Sequence, residues 1–301
     1  MFSRRHPFLF FMIVIFSVWS ALMVILAAMV LGSATLIKSD FSAIDATANS
    51  GNVGIIELMG PIISSKEIIE HIKTFREQSS IKAIVIRIDS PGGGVAPSQE
   101  IYNEIVKTKK VKKVIASMGS VAASGGYYAA ASCDGIVANP GTITGSIGVI
   151  MEYANVQEIV QKIGLIPVVI KSGEYKDMGS PMRDLKDNER KLLQSVVNEI
   201  HSQFVRDAAQ GRNIDIDSMS KLADGRIYTG ESALSLNLVD RLGNLDDAVE
   251  WAGELAGIEG KIQTVYPEED KTAFIKKLIT SLLKDANISS TVSDYFRYVI
   301  N

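Results

Sequence analysis

Ser124 lies in Met118-Gly-Ser-Val-Ala-Ala-Ser-Gly-Gly-Tyr-Tyr128, among residues almost too small to be there for packing alone. A serine hydroxyl becomes a nucleophile when a base takes its proton and backbone N–H groups receive the oxyanion formed by its attack. Donors of that kind are offered by the first turn of a helix, whose N–H groups have no internal partner. The glycine-rich Asp89-Ser-Pro-Gly-Gly-Gly94 turn offers another row of them. A base is offered by the loop Lys171-Ser-Gly-Glu-Tyr-Lys-Asp177, because a lysine amine desolvated in an apolar cleft can act as a general base. On local pattern Ser124 keeps two readings, nucleophile or plain helix N-cap in a tight helix–sheet contact.

Other chemistries are poorly supplied. There are only three histidines, His6, His71 and His201, so a Ser/His hydrolase must use His201, and Ala122-Ala-Ser-Gly-Gly126 lacks the first glycine of G-x-S-x-G. Nucleotide binding fails on spacing: reading G-x-G-x-x-G from Gly92, the sixth position is Pro97, and no Gly-Lys-Ser/Thr follows. The single cysteine, Cys133, excludes an internal disulfide and a structural zinc site, and its Ala/Ser neighbours suggest a buried thiol. With 31 basic and 34 acidic residues and no basic stripe interleaved with aromatics, nucleic acid is not an expected partner. No cofactor is called for.

The groups must be positioned by an α/β scaffold. Apolar runs predict strands at Val53–Met59, Ile81–Asp89, Lys112–Met118, Asp134–Ala138, Ile166–Ile170 and Lys261–Tyr266. Helical spacing predicts helices at Ser65–Gln78, Ser98–Lys109, the Ala-rich run after Ser124, Val156–Ile163, Lys186–Gly211, Glu231–Leu236 and Leu245–Ala256. The helix over Lys186–Gly211 carries Leu192, Leu193, Val196, Val197, Ile200 and Phe204 on one face. Strands and helices alternate without a Pro/Ser-rich break, which argues for one α/β domain.

Residues 1–7 read as a cytoplasmic tail and 8–31 as a transmembrane signal-anchor, since Phe8 to Leu31 would span about 36 Å as a helix, longer than a secretory h-region. Arg4 and Arg5 precede the span, and Lys38, Asp40 and Asp45 follow it. The positive-inside rule then puts the N-terminus in the cytoplasm and the bulk of the chain outside. Residues 32–52 read as a flexible tether, 53–260 as the catalytic domain and 261–301 as a C-terminal helical segment, with Lys271–Lys284 amphipathic and basic.

The ordered set Asp89-Ser-Pro-Gly-Gly-Gly94, Met118 to Tyr128, Thr144-Gly-Ser-Ile-Gly148, Lys171 to Asp177 and Asp224-Gly-Arg-Ile-Tyr-Thr-Gly230 resembles the signal peptide peptidases of the protease IV type (SppA), in their short form. The resemblance covers roughly 53–257. It implies a Clp protease/crotonase-like spiral of repeated ββα units, here preceded by one N-terminal transmembrane helix. It also implies a role for each matching position: Ser124 as nucleophile, Lys176 as general base, Ser146 holding the lysine amine, and Gly93 with the N–H of Gly125 as oxyanion hole. Further implied are a homo-oligomeric ring whose neighbours share each Ser/Lys dyad, signal-peptide remnants and small hydrophobic peptides as substrates, and a place in the cytoplasmic membrane of a bacterium. Relatives usually have glycine where this chain has Asn237, a residue that tolerates left-handed backbone angles. A Ser/His esterase and a non-catalytic membrane-anchored scaffold of the same fold are the competing readings.

Overall fold

Apolar runs such as Ala83-Ile-Val-Ile86 become strands only where both faces of a sheet are covered, and the scaffold is built that way. The computed structural model describes residues 51–268, together with scattered helical positions between Phe8 and Val24. Most of the expected anchor, most of the tether and the Lys271–Lys284 helix lie outside the described residues. Among the described residues no helix is long and apolar enough to cross a membrane.

Chain order is β1 (Val53–Met59), α1 (Lys66–Glu77), β2 (Ala83–Ser90), α2 (Val95–Thr108), β3 (Lys113–Ala123), α3 (Gly125–Ala131), β4 (Gly135–Ala138), β5 (Ile143–Gly145), α4 (Gln157–Lys162), α5 (Asp187–Arg212), α6 (Ile216–Leu222), β6 (Ile227–Thr229), α7 (Gly230–Ser235), β7 (Arg241–Leu242), α8 (Leu245–Leu255) and β8 (Thr264–Val265). The sheet runs β6-β5-β3-β2-β1-β8, with β4 and then β7 branching from β3. Every pair is parallel except β5 with β6. Side chains alternate strictly between the faces. Val53, Ile55, Val85, Ile115 and Val137 pack on Ala248, Val249 and Ala252 of α8, whereas Ile56, Ile84, Ile86, Met118 and Ile136 join the larger core under α1, α2, α3 and α5.

β3 runs to Ala123, beyond the expected end at Met118, because it serves two partners in turn. Its first half pairs with β4, from Ile115↔Gly135 to Met118↔Ala138, and its second with β5, from Val121↔Ile143 to Ala123↔Gly145. Between them the pairing with β2 slips from Ile88↔Met118 to Ser90↔Ala122. That bulge leaves N–H groups without ladder partners, and the Asp89 carboxylate accepts those of Ser120 and Val121, each at 3.2 Å.

One expected strand is absent. Residues Ile166–Ile170 are exposed and unpaired, with Ile166, Val168 and Ile170 at 86, 82 and 97% exposure. A β-branched run becomes a strand only against an edge that completes its backbone hydrogen bonds, and no described strand lies beside this one. The apolar face of α5 divides similarly: Phe204, Val205, Ala208 and Ala209 are buried, but Leu192 and Val196 stay exposed. With Ile150, Ile159, Ile163 and Leu165 also exposed, residues 150–182 and the first half of α5 form an apolar arm of the kind that marks an interaction surface.

Candidate active site

Ser124 stands where β3 turns into α3, at φ 51° and ψ −119°, a conformation costly for a residue with a Cβ. The surroundings hold it there: its N–H donates to the Gly145 carbonyl at 2.8 Å, and its carbonyl accepts from Tyr128 N–H at 2.8 Å. The hydroxyl makes no cap bond to α3, so the N-cap reading of this serine is not realised. A strained strand-to-helix elbow that presents a free serine hydroxyl is the geometry of a nucleophile.

The glycine turn after β2 is held against Ile62. Ile62 N–H donates to Gly92 O at 2.9 Å and Gly94 N–H donates to Ile62 O at 2.8 Å. In this parallel bridge Gly93 turns its own N–H away from Ile62. Close approach to Ser124 demands glycine: a Cβ on Gly92, whose φ is +100°, would lie 2.7 Å from Gly125 N and 2.8 Å from Ser124 Cβ. A Cβ on Gly125 would lie 2.4 Å from Ser98 Oγ and 3.3 Å from Gly93 N. The N–H groups of Gly93 and Gly125 thus lie beside Ser124, and neither donates to a protein acceptor among the described residues.

Ser146 is brought in by the sheet. Parallel pairing ends at Ala123↔Gly145, so Ser124 and Ser146, the residues that follow, leave the sheet side by side. Both turn left-handed at once, at φ 51° and 50°, and Ser146 N–H is anchored on Arg226 O at 2.8 Å. The cleft beside Ser124 is lined by Gly93, Val95, Ser98, Gly125, Tyr128, Val149, Ile200 and Phe204. Its volume in one copy, about 20 Å³, admits a water and no side chain. A larger cavity of about 570 Å³ lies between Met151–Asn155 and the first half of α5, among Arg183, Asp184, Arg190 and Leu193, and takes in none of the Ser124 cluster.

Lys176 is not brought to Ser124 within the copy. It is exposed, on a run of tight turns in which Lys176 N–H donates to Gly173 O at 3.2 Å and Ser180 N–H to Asp177 O at 3.0 Å. These turns are fastened to the start of α5 through Arg183, which binds Asp177 and the buried Glu189. Ser124 belongs to the other half of α5, where Tyr128 stacks on Phe204 with centroids 4.3 Å apart and its hydroxyl donates to Asp207. From Glu189 to Phe204 the helix rises about 22 Å, so one rigid beam holds the two groups apart.

His201 is engaged elsewhere: its Nε2 donates to the Ala223 carbonyl at 2.7 Å, and it is not among the residues that line the cleft beside Ser124, so the Ser/His reading gains no support. Cys133 is buried and its thiol is pushed up to about 12 by desolvation, which leaves it inert. Sequence reasoning assigned no role to Asp89, Ser98 or Asp207. Only Asp89, inside a quoted motif, carried a local signal; the other two act through contacts with residues far away in the chain.

Residues 106–259 match the family described as peptidase family S49, and residues 40–142 match Clp protease. A Synechocystis sp. protein named as a protease is 42% identical over 234 residues, covering 77% of this chain and 84% of that one. A chloroplastic serine protease, SPPA, of Arabidopsis thaliana is 38% identical over 206 residues, covering 68% of this chain and 30% of its own length. Among solved structures, a serine-to-alanine mutant of a membrane-bound stomatin-specific protease matches with a TM-score of 0.51 at 17% identity, over 73% of this chain and 99% of that one. That likeness speaks for the fold, an α/β Clp protease-like domain with a mixed sheet. The strained elbow at Ser124, two N–H donors beside it that meet no acceptor among the described residues, and the match over more than half of the chain agree: this chain belongs to peptidase family S49 and is a serine peptidase.

Proposed function

We propose that the chain is a membrane-anchored endopeptidase in which Ser124 of one copy works with Lys176 of a neighbouring copy in a homo-oligomeric ring. The Lys176 amine takes the Ser124 proton as Oγ attacks a peptide carbonyl. The N–H groups of Gly93 and Gly125 receive the oxyanion, each such donor being worth about 3 kcal/mol in the transition state. The lysine ammonium then protonates the leaving amine, and a water that gives its proton to the same lysine hydrolyses the acyl-enzyme. Ser146, next to Ser124, orients the lysine amine.

The observation that carries this reading is the uncommitted Ser124 hydroxyl on a strained elbow, flanked by two unpaired N–H donors. A dyad shared between copies is supported by α5, along which the lysine turns and the serine are fastened at different points, and by the exposed apolar arm that a neighbour would cover. Val95, Val149, Ile200 and Phe204 around the serine suit apolar side chains, in keeping with signal-peptide remnants and other small hydrophobic peptides as substrates. Residues 8–31 would hold the catalytic domain, 53–260, on the outer face of the cytoplasmic membrane of a bacterium, close to peptides released there.

Ser124→Ala and Lys176→Ala in the full chain should each reduce hydrolysis of an apolar fluorogenic peptide to background while the assembly survives. Near wild-type turnover in either variant would remove that residue from the mechanism.

A further inference from the structure

Lys176 is followed at once by a carboxylate, Asp177. Left to itself, that carboxylate would be the natural counter-ion for the Lys176 ammonium and would oppose its loss of a proton. The structure engages it elsewhere. Lys171 Nζ donates to Asp177 Oδ1 at 2.6 Å, and Arg183 Nε donates to Asp177 Oδ2 at 2.9 Å. Arg183 also forks onto Glu189, with Nη1 at 2.8 Å and Nη2 at 2.6 Å. On an arm that is otherwise exposed, the Asp177 and Glu189 side chains are 14% and 1% exposed. Two cations meet two carboxylates, so the cluster is neutral and closed. Lys176 has no ion-pair partner among the described residues.

We propose that Lys171 and Arg183 are positioning residues for catalysis: they sequester the Asp177 carboxylate, which fixes the turn that presents Lys176 and keeps the amine without a counter-ion. The proposal rests on Lys176 being the general base. The other titratable groups around the turn include Glu174, Tyr175, Lys186 and Asp184, whose carbonyl accepts from Arg183 Nη1 at 3.0 Å. Asn188 meets Glu174 Oε1 at 3.5 Å and the Tyr175 hydroxyl at 3.4 Å, while Lys186 N–H donates to Glu189 Oε2 at 3.1 Å. Of these, Glu174 and Asp184 are carboxylates, and Asp184 Oδ1 accepts from Asn155 Nδ2 at 2.8 Å. The hold on Asp177 also shows in its titration: hydrogen bonds from Arg183 and Lys171 keep its carboxyl far below the ordinary range.

The test is the pH–rate profile for peptide hydrolysis by the assembled full chain. Lys171→Met or Arg183→Gln frees Asp177 to pair with Lys176, and a nearby opposite charge favours the protonated amine. The acid limb of kcat/KM should therefore move up by about one pH unit, a tenfold rate loss on that limb. Replacing the carboxylate as well, in Lys171→Met/Asp177→Asn and Arg183→Gln/Asp177→Asn, should bring the limb back. A merely structural cluster would lower the rate at all pH values and would not be rescued by a second substitution inside it. An unmoved limb in both single variants, an equal shift in singles and doubles, or loss of the assembled particle in both singles would overturn the proposal. Lys176→Ala is run alongside: if it keeps its activity, the dyad itself is wrong, whereas an inactive Lys176→Ala with unmoved limbs refutes only the role of the cluster.

Discussion

Mixing two inactive chains tests the shared site most directly. In the proposed mechanism Ser124→Ala lacks the nucleophile and Lys176→Ala lacks the base, so neither variant alone should hydrolyse peptide. The structure sets the expectation for a mixture. The lysine turns are fastened at Glu189 and the serine helix packs at Phe204, about 22 Å further along one continuous helix, so the proposed dyad pairs Lys176 of one copy with Ser124 of another. Under this proposal each site draws its serine from one copy and its lysine from the next. If a fraction f of the chains carries Lys176→Ala, the fraction of complete sites is f(1−f), about a quarter of wild-type activity at equal mixing in a closed ring. The assay is co-expression of the two full-length variants with different tags, sequential capture of particles holding both, and turnover per chain across several mixing ratios. Activity should follow the product and peak at equal proportions. Mixed particles no more active than their parents, with both chains present and the assembly intact, would refute the shared dyad and place both groups in one copy.

Two further outcomes are expected. Gly125→Ala puts a methyl 2.4 Å from Ser98 Oγ and 3.3 Å from Gly93 N, and it should lower kcat by about 10²-fold through the displaced oxyanion donor. The added crowding should cost about 1–3 kcal/mol in chemical denaturation, part of which Ser98→Ala relieves; unchanged turnover would show that this N–H takes no part. Glu189 is held down to about 2, mainly by its hydrogen bonds from Arg183, against an ordinary value of 4.5. A lowered folded value means the fastening of the lysine turns is complete above about pH 4.5 and fades as pH falls toward about 2. Hydrogen exchange over residues 173–180 should accordingly be slower at pH 6 than at pH 3 relative to unstructured peptide, and Glu189→Gln should erase the difference. Equal relative protection in the wild type at both pH values would break the link.

Much of the scaffold was written in local pattern. Apolar runs in Val53–Met59 and Ile81–Asp89, and helical spacing in Ser65–Gln78 and Leu245–Ala256, marked elements that form nearly where expected, because burial of one face or both is a local property of the chain. Asn237, at φ 60°, takes the left-handed backbone its side chain tolerates, and Cys133 is buried as its neighbours suggested. Ile166–Ile170 misled for the same reason that the others succeeded: its β-branched content was read correctly, but strand formation needs an edge, and none of the described strands supplies one.

For Ser124 the sequence by itself determined the small neighbours, the strand-to-helix junction and the glycine turn able to lie against it. It left open whether the hydroxyl caps the helix. Only the tertiary structure decided that it does not, and which groups surround it. The reason is that the elbow is set by long-range pairings: Ala123 with Gly145, Gly93 with Ile62, and Asp89 with the bulge in β3. Each depends on register between segments far apart in the chain, and register is a property of the assembled sheet that no local window of residues carries.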